Sequence, residues 1–211
     1  MATLLRIDAS ARTEGSHSRA LADEVEAGWL RLNPDGEVVS RNLAQDPVAL
    51  ITNDTIAGYY TPADELTDEL RQATALSDQL IAEIMAADSL LISTPMYNFS
   101  IPAVLKAWVD QIVRINHTFG FDPATGLVGL IKNKSAYVSV AMGAQFTGTP
   151  IEGYDFVRPY MKSLLGFLGF EQVEIFSLEA TTTDEQQINT GMQEAVQQIK
   201  TAFSSAGKAV A

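Results

Sequence analysis

Residues 90–94, Leu-Leu-Ile-Ser-Thr, form a nearly continuous apolar run that turns at once into Pro95-Met96-Tyr97-Asn98-Phe99. From Pro102 a helical pattern takes over, carried by Ala103, Leu105, Trp108 and Ile112. A strand with so little polar alternation needs cover on both faces, and a parallel sheet with helices above and below supplies it. A strand that empties into a loop just before a helix also marks the edge where open α/β sheets bind flat ligands.

The rest of the chain repeats the alternation of strand and helix, which points to an α/β fold with a parallel sheet. Thr3 to Asp8 reads as the first strand and Ser18 to Leu32 as a helix, stopped by Asn33-Pro34-Asp35-Gly36. Glu37 to Arg41 alternates like a second strand. Residues 42 to 62 read as irregular with short helical pieces, and Asp64 to Ala87 as a long amphipathic helix. Ser89 to Thr94 is the third strand and Ile101 to Ile115 the next helix. Phe119 to Leu130, centred on Asp122-Pro123-Ala124-Thr125-Gly126, reads as a loop or hairpin excursion. Ser135 to Ala141 is the fourth strand, Tyr154 to Leu168 a helix, Gln172 to Leu178 the fifth strand, and Glu185 to about Phe203 a closing helix. Five strands and five main helices in this order describe a doubly wound five-stranded parallel sheet of the flavodoxin type, in one domain spanning residues 1–211.

Composition narrows the chemistry. The chain has no cysteine, which excludes disulfides, thiolate metal sites and a cysteine nucleophile. Redox chemistry would have to come from a bound cofactor. A formal charge of −12 repels nucleic acid. No run approaches the roughly 20 apolar residues of a membrane span, and Met1 to Asp8 does not resemble a secretory leader. The two histidines, His17 and His117, have no metal-ligand spacing, so no metal site is expected.

Three loops hold the candidate ligand-binding residues. The first strand runs into Ser10, Arg12, Thr13, Gly15, Ser16, His17 and Ser18, directly before a helix. A helix N-terminus with free N–H groups, together with hydroxyl donors, suits a phosphate monoester. The same serines would also serve as plain helix caps. The loop lacks both the Walker ending and the glycine fingerprint of dinucleotide folds. The second loop, Pro95, Met96, Tyr97, Asn98 and Phe99, offers apolar faces and an amide, as an isoalloxazine ring requires; as core residues they would be a poor choice. The third, Ala141-Met142-Gly143-Ala144, is small enough to bring backbone N–H groups close to a ligand.

At these loops the chain resembles the FMN-dependent NADH-azoreductase, or NAD(P)H:quinone oxidoreductase, family of flavodoxin-like fold. The resemblance runs through Ser10, Ser16-His17-Ser18, Pro95 to Phe99, Ile101-Pro102-Ala103-Val104-Leu105-Lys106, Trp108-Val109-Asp110 and Gly166-Phe167-Leu168-Gly169-Phe170. It implies that Ser10 and residues 16–18 hold an FMN phosphate, that Met96, Tyr97, Asn98 and Phe99 surround the flavin, and that residues 141–144 meet its pyrimidine side. It also implies a homodimer with one FMN per subunit, NADH or NADPH as donor, and quinone or azo acceptors; a cytoplasmic location is expected. Phe119 and Phe121 become candidate aromatic walls for the substrate. The third loop departs from the Ser-Arg-Gly-Gly that familiar members often carry, which leaves the preference between NADH and NADPH open.

The expected mechanism is ping-pong, with hydride passing to flavin N5 and no catalytic side chain required. The alternative is a flavodoxin-like electron carrier without its own small-molecule reductase activity. His117 stands near a helix end as a possible proton donor, although a structural role suits it better.

Overall fold

The apolar run at Ser89–Pro95 is the central strand of a five-stranded parallel sheet. The sheet comprises β1 (Thr3–Asp8), β2 (Glu37–Asn42), β3 (Ser89–Pro95), β6 (Ser135–Ala141) and β7 (Gln172–Leu178), in the order β2-β1-β3-β6-β7. The computed structural model describes residues 1–209. The register pairs Asp8 with Asn42 and with Ser93, and Ser93 with Ser139, so the strands' carboxyl ends lie level along one edge. The sheet's order is the flavodoxin one, and its switch point falls between β1 and β3.

Successive side chains on a strand face opposite sides, and two separate apolar layers result. On one side Leu4, Leu91 and Phe176 pack under α1 (His17–Leu32) and α6 (Glu185–Ala209), with Leu21, Val25, Trp29, Ile199 and Phe203 closing the layer. On the other, Leu5, Leu90, Ile92 and Val138 meet α3 (Asp68–Ala86), α4 (Ala103–Ile112) and α5 (Val157–Leu168) through Ile84, Leu105, Trp108 and Leu165. Each fully buried aliphatic side chain contributes roughly 1.5–3 kcal/mol. These two layers are the main reason the sheet edge is rigid enough to carry a site.

Several element ends differ from the sequence expectation, each for a local reason. The long helix starts at Asp68 rather than Asp64, because the Thr67 hydroxyl accepts the Leu70 N–H at 3.3 Å and fixes the cap there. Helix α4 stops at Ile112 rather than Ile115, where the Thr118 hydroxyl donates to the Ile112 carbonyl at 2.6 Å. Helix α5 starts at Val157 rather than Tyr154: the Asp155 carboxylate accepts from the Val157 and Arg158 N–H groups at 3.0 and 3.2 Å. The residues before it, Glu152–Tyr154, form a single 3-10 turn. Within the irregular stretch a short helix, α2 (Asn53–Tyr60), is closed by a capping box between Thr52 and Thr55. The last helix continues past Phe203 to Ala209.

The excursion after α4 is a hairpin of β4 (Phe119–Asp122) and β5 (Gly126–Gly129). Its turn is tied by Asp122, whose carboxylate accepts from the Ala124 and Thr125 N–H groups at 2.8 and 2.9 Å. At its base Gly129 lies against the end of α5, where an added Cβ would stand 2.3 Å from the Leu168 carbonyl carbon. No helix of the described residues is long and apolar enough to cross a membrane.

Candidate functional site

The carboxyl edge of the sheet gathers the loops after β1, β3, β6 and β7 around a cavity of about 210 Å³. It is lined by Ser10, Arg12, Ser16, His17, Ser18, Pro95, Met96, Tyr97, Ala141, Gly143, Thr181 and Thr182. Nine of the expected binding residues therefore meet in one place: Ser10, Ser16, His17, Ser18, Pro95, Met96, Tyr97, Ala141 and Gly143.

At one end of the cavity stands the N-terminus of α1. Ser16 occupies the N-cap position, yet its side chain makes no capping hydrogen bond. Its hydroxyl lies 3.3 Å from that of Ser18 instead. The plain-cap alternative thus fails for Ser16, and the first N–H groups of α1 keep their capacity to bind an anion. Ser10 is almost wholly buried; its hydroxyl accepts the Arg12 N–H at 3.2 Å, which leaves its own proton to donate. Ser18 is anchored from below, where the Ser139 hydroxyl donates to its carbonyl at 3.0 Å. Among the described residues Arg12 is the one arginine or lysine in the lining.

Across the cavity the chain after β3 makes a tight turn. Tyr97 and Ser100 exchange backbone hydrogen bonds of 2.9 and 3.0 Å, with Asn98 at φ 49° and Phe99 at φ 70° between them. Positive φ at both central positions defines a type I′ turn, which costs a non-glycine residue roughly 1–2 kcal/mol. The turn is held by its far side. The Phe99 ring lies 5.6 Å from that of Tyr154 and 6.4 Å from that of Phe146, and the Phe99 carbonyl accepts the Phe156 N–H at 3.3 Å. Phe99 therefore braces the turn, while Asn98 is exposed at its tip and Met96 and Tyr97 line the cavity.

The third loop is split in its roles. Met142 is fully buried; its N–H donates to the Leu178 carbonyl at 2.9 Å, and its carbonyl accepts from Thr181. Its side chain and its amide are both committed to the fold. The N–H groups of Gly143 and Ala144, by contrast, have no partner among the described residues. The Gly143 carbonyl is taken up by Thr182, accepting its hydroxyl at 2.8 Å and its N–H at 3.2 Å. Thr181 and Thr182 were not expected from the sequence. Their place directly after the fifth strand, beside the fourth at the carboxyl edge, is the signal that points to them.

Just outside the cavity, a half-buried carboxylate at the end of β7 ties down the residues that follow the third loop. Glu179 accepts from the N–H groups of Phe146 and Thr147, from the Thr147 hydroxyl, and from Arg158 at 2.9 Å. Burial works against its charge, but those donors prevail and hold its pKa below the ordinary 4.5.

The remaining expected residues lie outside the cavity lining. Phe119 packs its ring 5.1 Å from that of Phe167, and Phe121 is exposed on the hairpin. His117 sits in the turn after α4, where partial burial and the Arg114 charge push its pKa below the usual imidazole value. A larger open cavity, about 790 Å³, lies between the β7 edge and α6. Its arginine, Arg158, is already paired with Asp155 and Glu179, so it offers an anion little.

Comparison with known proteins matches the whole of this architecture. Residues 2–203 fit the family described as having a flavodoxin-like fold. The chain is 52% identical over 177 residues to the FMN-dependent NADH:quinone oxidoreductase of Xanthobacter autotrophicus, covering 83% of this chain and 85% of that one. It is 40% identical over 200 residues to the protein of the same name from Hydrogenovibrio crunogenus, covering 95% and 98%. Among solved structures, an azoreductase from Bacillus anthracis superposes with a TM-score of 0.84 at 27% identity, covering 95% of this chain and all of that one.

Proposed function

The chain belongs to the flavodoxin-like fold family, and from that premise we propose that it is an FMN-dependent reductase. It would carry two electrons from NADH or NADPH to quinones and aromatic azo compounds. One observation carries the reading. The uncapped start of α1, with Ser10, Ser16 and Ser18, shares a cavity with Met96, Tyr97 and the free amide of Gly143.

The donor set fits FMN rather than a dinucleotide. One end offers hydroxyls and helix N–H groups for a single phosphate; the other offers apolar faces and backbone N–H groups for a flat heterocycle. FMN and NADH stand in the names of the similar oxidoreductases. When bound, FMN would supply the two-electron chemistry between nicotinamide and acceptor.

The chain's own residues bind, orient and shield. Ser10, Ser16, His17 and Ser18 hold the phosphate, and Pro95, Met96 and Tyr97 line the ring's place. Asn98, at the tip of the braced turn, supplies an amide with both donor and acceptor for the pyrimidine edge. The N–H groups of Gly143 and Ala144, next to Ala141, stabilise negative charge that develops there. No side chain is needed to move a proton, since water reaches an open site. Donor and acceptor use the same open face in turn, which makes the kinetics ping-pong.

A cavity of about 210 Å³ is below the roughly 300–1,000 Å³ of a complete small-molecule site. Phe121, Leu127, Tyr154 and Phe156 stand exposed on the same chain. A homodimer, in which a second copy completes each site and Phe119 and Phe121 help wall the substrate, accounts for both. A cytoplasmic setting follows from the proposed donor. Titration of the apo-protein with FMN, followed by steady-state NADH oxidation with a benzoquinone, tests the proposal. FMN-dependent, quinone-dependent oxidation is expected; its absence contradicts the reading.

A further inference from the structure

The segment from Ala11 to Gly15 has almost no hydrogen bonds of its own. Among the described residues its backbone makes two: the Arg12 N–H donates to the Ser10 hydroxyl, and the Arg12 carbonyl accepts from Arg19. Arg19, on the first turn of α1, holds the segment. Its Nε donates to the Arg12 carbonyl at 3.1 Å and its Nη2 to the Ser10 carbonyl at 3.0 Å.

The same guanidinium is fixed from behind. Nη2 also donates to the Asn42 side-chain oxygen at 2.9 Å, at the end of β2, and Nη1 pairs with the Asp8 carboxylate at 3.2 Å, at the end of β1. Both side chains of the Arg19–Asp8 pair are close to nine-tenths buried. Asp8 is shared with Arg6, which lies 3.2 Å away and also reaches Asp23 and Glu26. Asn42 in turn accepts the Ala44 N–H at 3.1 Å. The loop is thereby bolted to the ends of two strands through one planar fork.

A carbonyl oxygen turned into an anion site would repel the anion. Arg19 engages the carbonyls of both Ser10 and Arg12, so the N–H groups of residues 13–15 and the proton of the Ser10 hydroxyl are left for the phosphate. A lysine carries the same charge on one compact ammonium and cannot reproduce the fork. We propose that Arg19 is a positioning residue for the phosphate group of FMN, acting by fixing the loop at residues 10–12 without touching the phosphate itself. The proposal rests on the reading of this loop as the FMN phosphate site.

The test compares FMN with riboflavin, which lacks the phosphate, by flavin fluorescence quenching on titration into apo-protein. R19Q should raise the Kd for FMN by about tenfold or more, the loss of several charge-assisted hydrogen bonds' worth of order, and that for riboflavin by less than about twofold. R19K, which keeps a cation beside Asp8, decides the matter should R19Q not fold; it should lose FMN affinity by about fivefold with riboflavin unchanged. Wild-type FMN affinity in R19K, or equal losses for FMN and riboflavin in either variant, would overturn the proposal. If the wild-type protein itself binds FMN no better than riboflavin, the phosphate-site reading fails first, and the positioning role fails with it.

Discussion

The hydroxyls of Ser16 and Ser18 stand 3.3 Å apart at the start of α1, and the Ser16 hydroxyl, at the N-cap, bonds none of the helix's N–H groups. A capping serine replaced by alanine costs about 0.5–2 kcal/mol of stability; here no cap exists to lose. S16A should therefore leave the melting temperature of the apo-protein within about 2 °C of wild type. FMN affinity should fall about tenfold, as for one hydrogen bond to a charged group. Calorimetric melting and a flavin titration check both halves. A clear loss of stability with unchanged FMN affinity would return Ser16 to a capping role.

Asn98 offers a second separation of structure from binding. Its φ of 49° suits asparagine or glycine and penalises alanine. N98A should lose about 1 kcal/mol of stability by urea unfolding, while N98G should stay within about 0.5 kcal/mol of wild type. Both should weaken FMN binding or slow flavin reduction to a similar degree, because both lack the amide. Wild-type behaviour of N98G in both assays would remove Asn98 from the site.

Glu179 makes the segment just after the third loop, Phe146-Thr147, sensitive to acid. Its folded pKa lies below the ordinary 4.5, so the folded state favours the carboxylate. The stabilisation is fully present above pH 4.5 and is lost as pH falls through the lower, folded value. E179Q should be less stable than wild type at pH 7, because Arg158 and the Phe146 and Thr147 donors lose their anionic acceptor. Its stability should also fall less steeply than wild type's below pH 4.5. Urea unfolding from pH 7 to pH 3 reads both; parallel curves for the two proteins would contradict the assignment.

Much of this was legible in the sequence, for identifiable reasons. The strands Thr3–Asp8, Ser135–Ala141 and Gln172–Leu178 fall at their expected bounds, because buried parallel strands are apolar runs ended by sharp changes of composition. Helix ends shifted wherever a single side chain decided them, as Thr67 does for α3 and Asp155 for α5. Such caps are settled by which hydroxyl or carboxylate reaches which N–H, and several neighbouring residues offered the same chemistry. Within the site, the serine loop and Met96-Tyr97 converge on one cavity. Phe99 shares their motif yet is half exposed outside the cavity lining, with its ring against Phe146 and Tyr154. Met142 is taken by the core. Thr181, Thr182 and the fork of Arg19 depend on strand order and long-range packing, which no local pattern carries.

The most direct measurement is anaerobic mixing of the FMN-loaded protein with NADH and then with a quinone, followed by flavin absorbance. Rapid bleaching by NADH and recolouring by quinone are expected, two half-reactions at one site. A flavin that neither NADH nor NADPH bleaches would contradict the reductase reading, and would leave the protein as an electron carrier served by a protein donor.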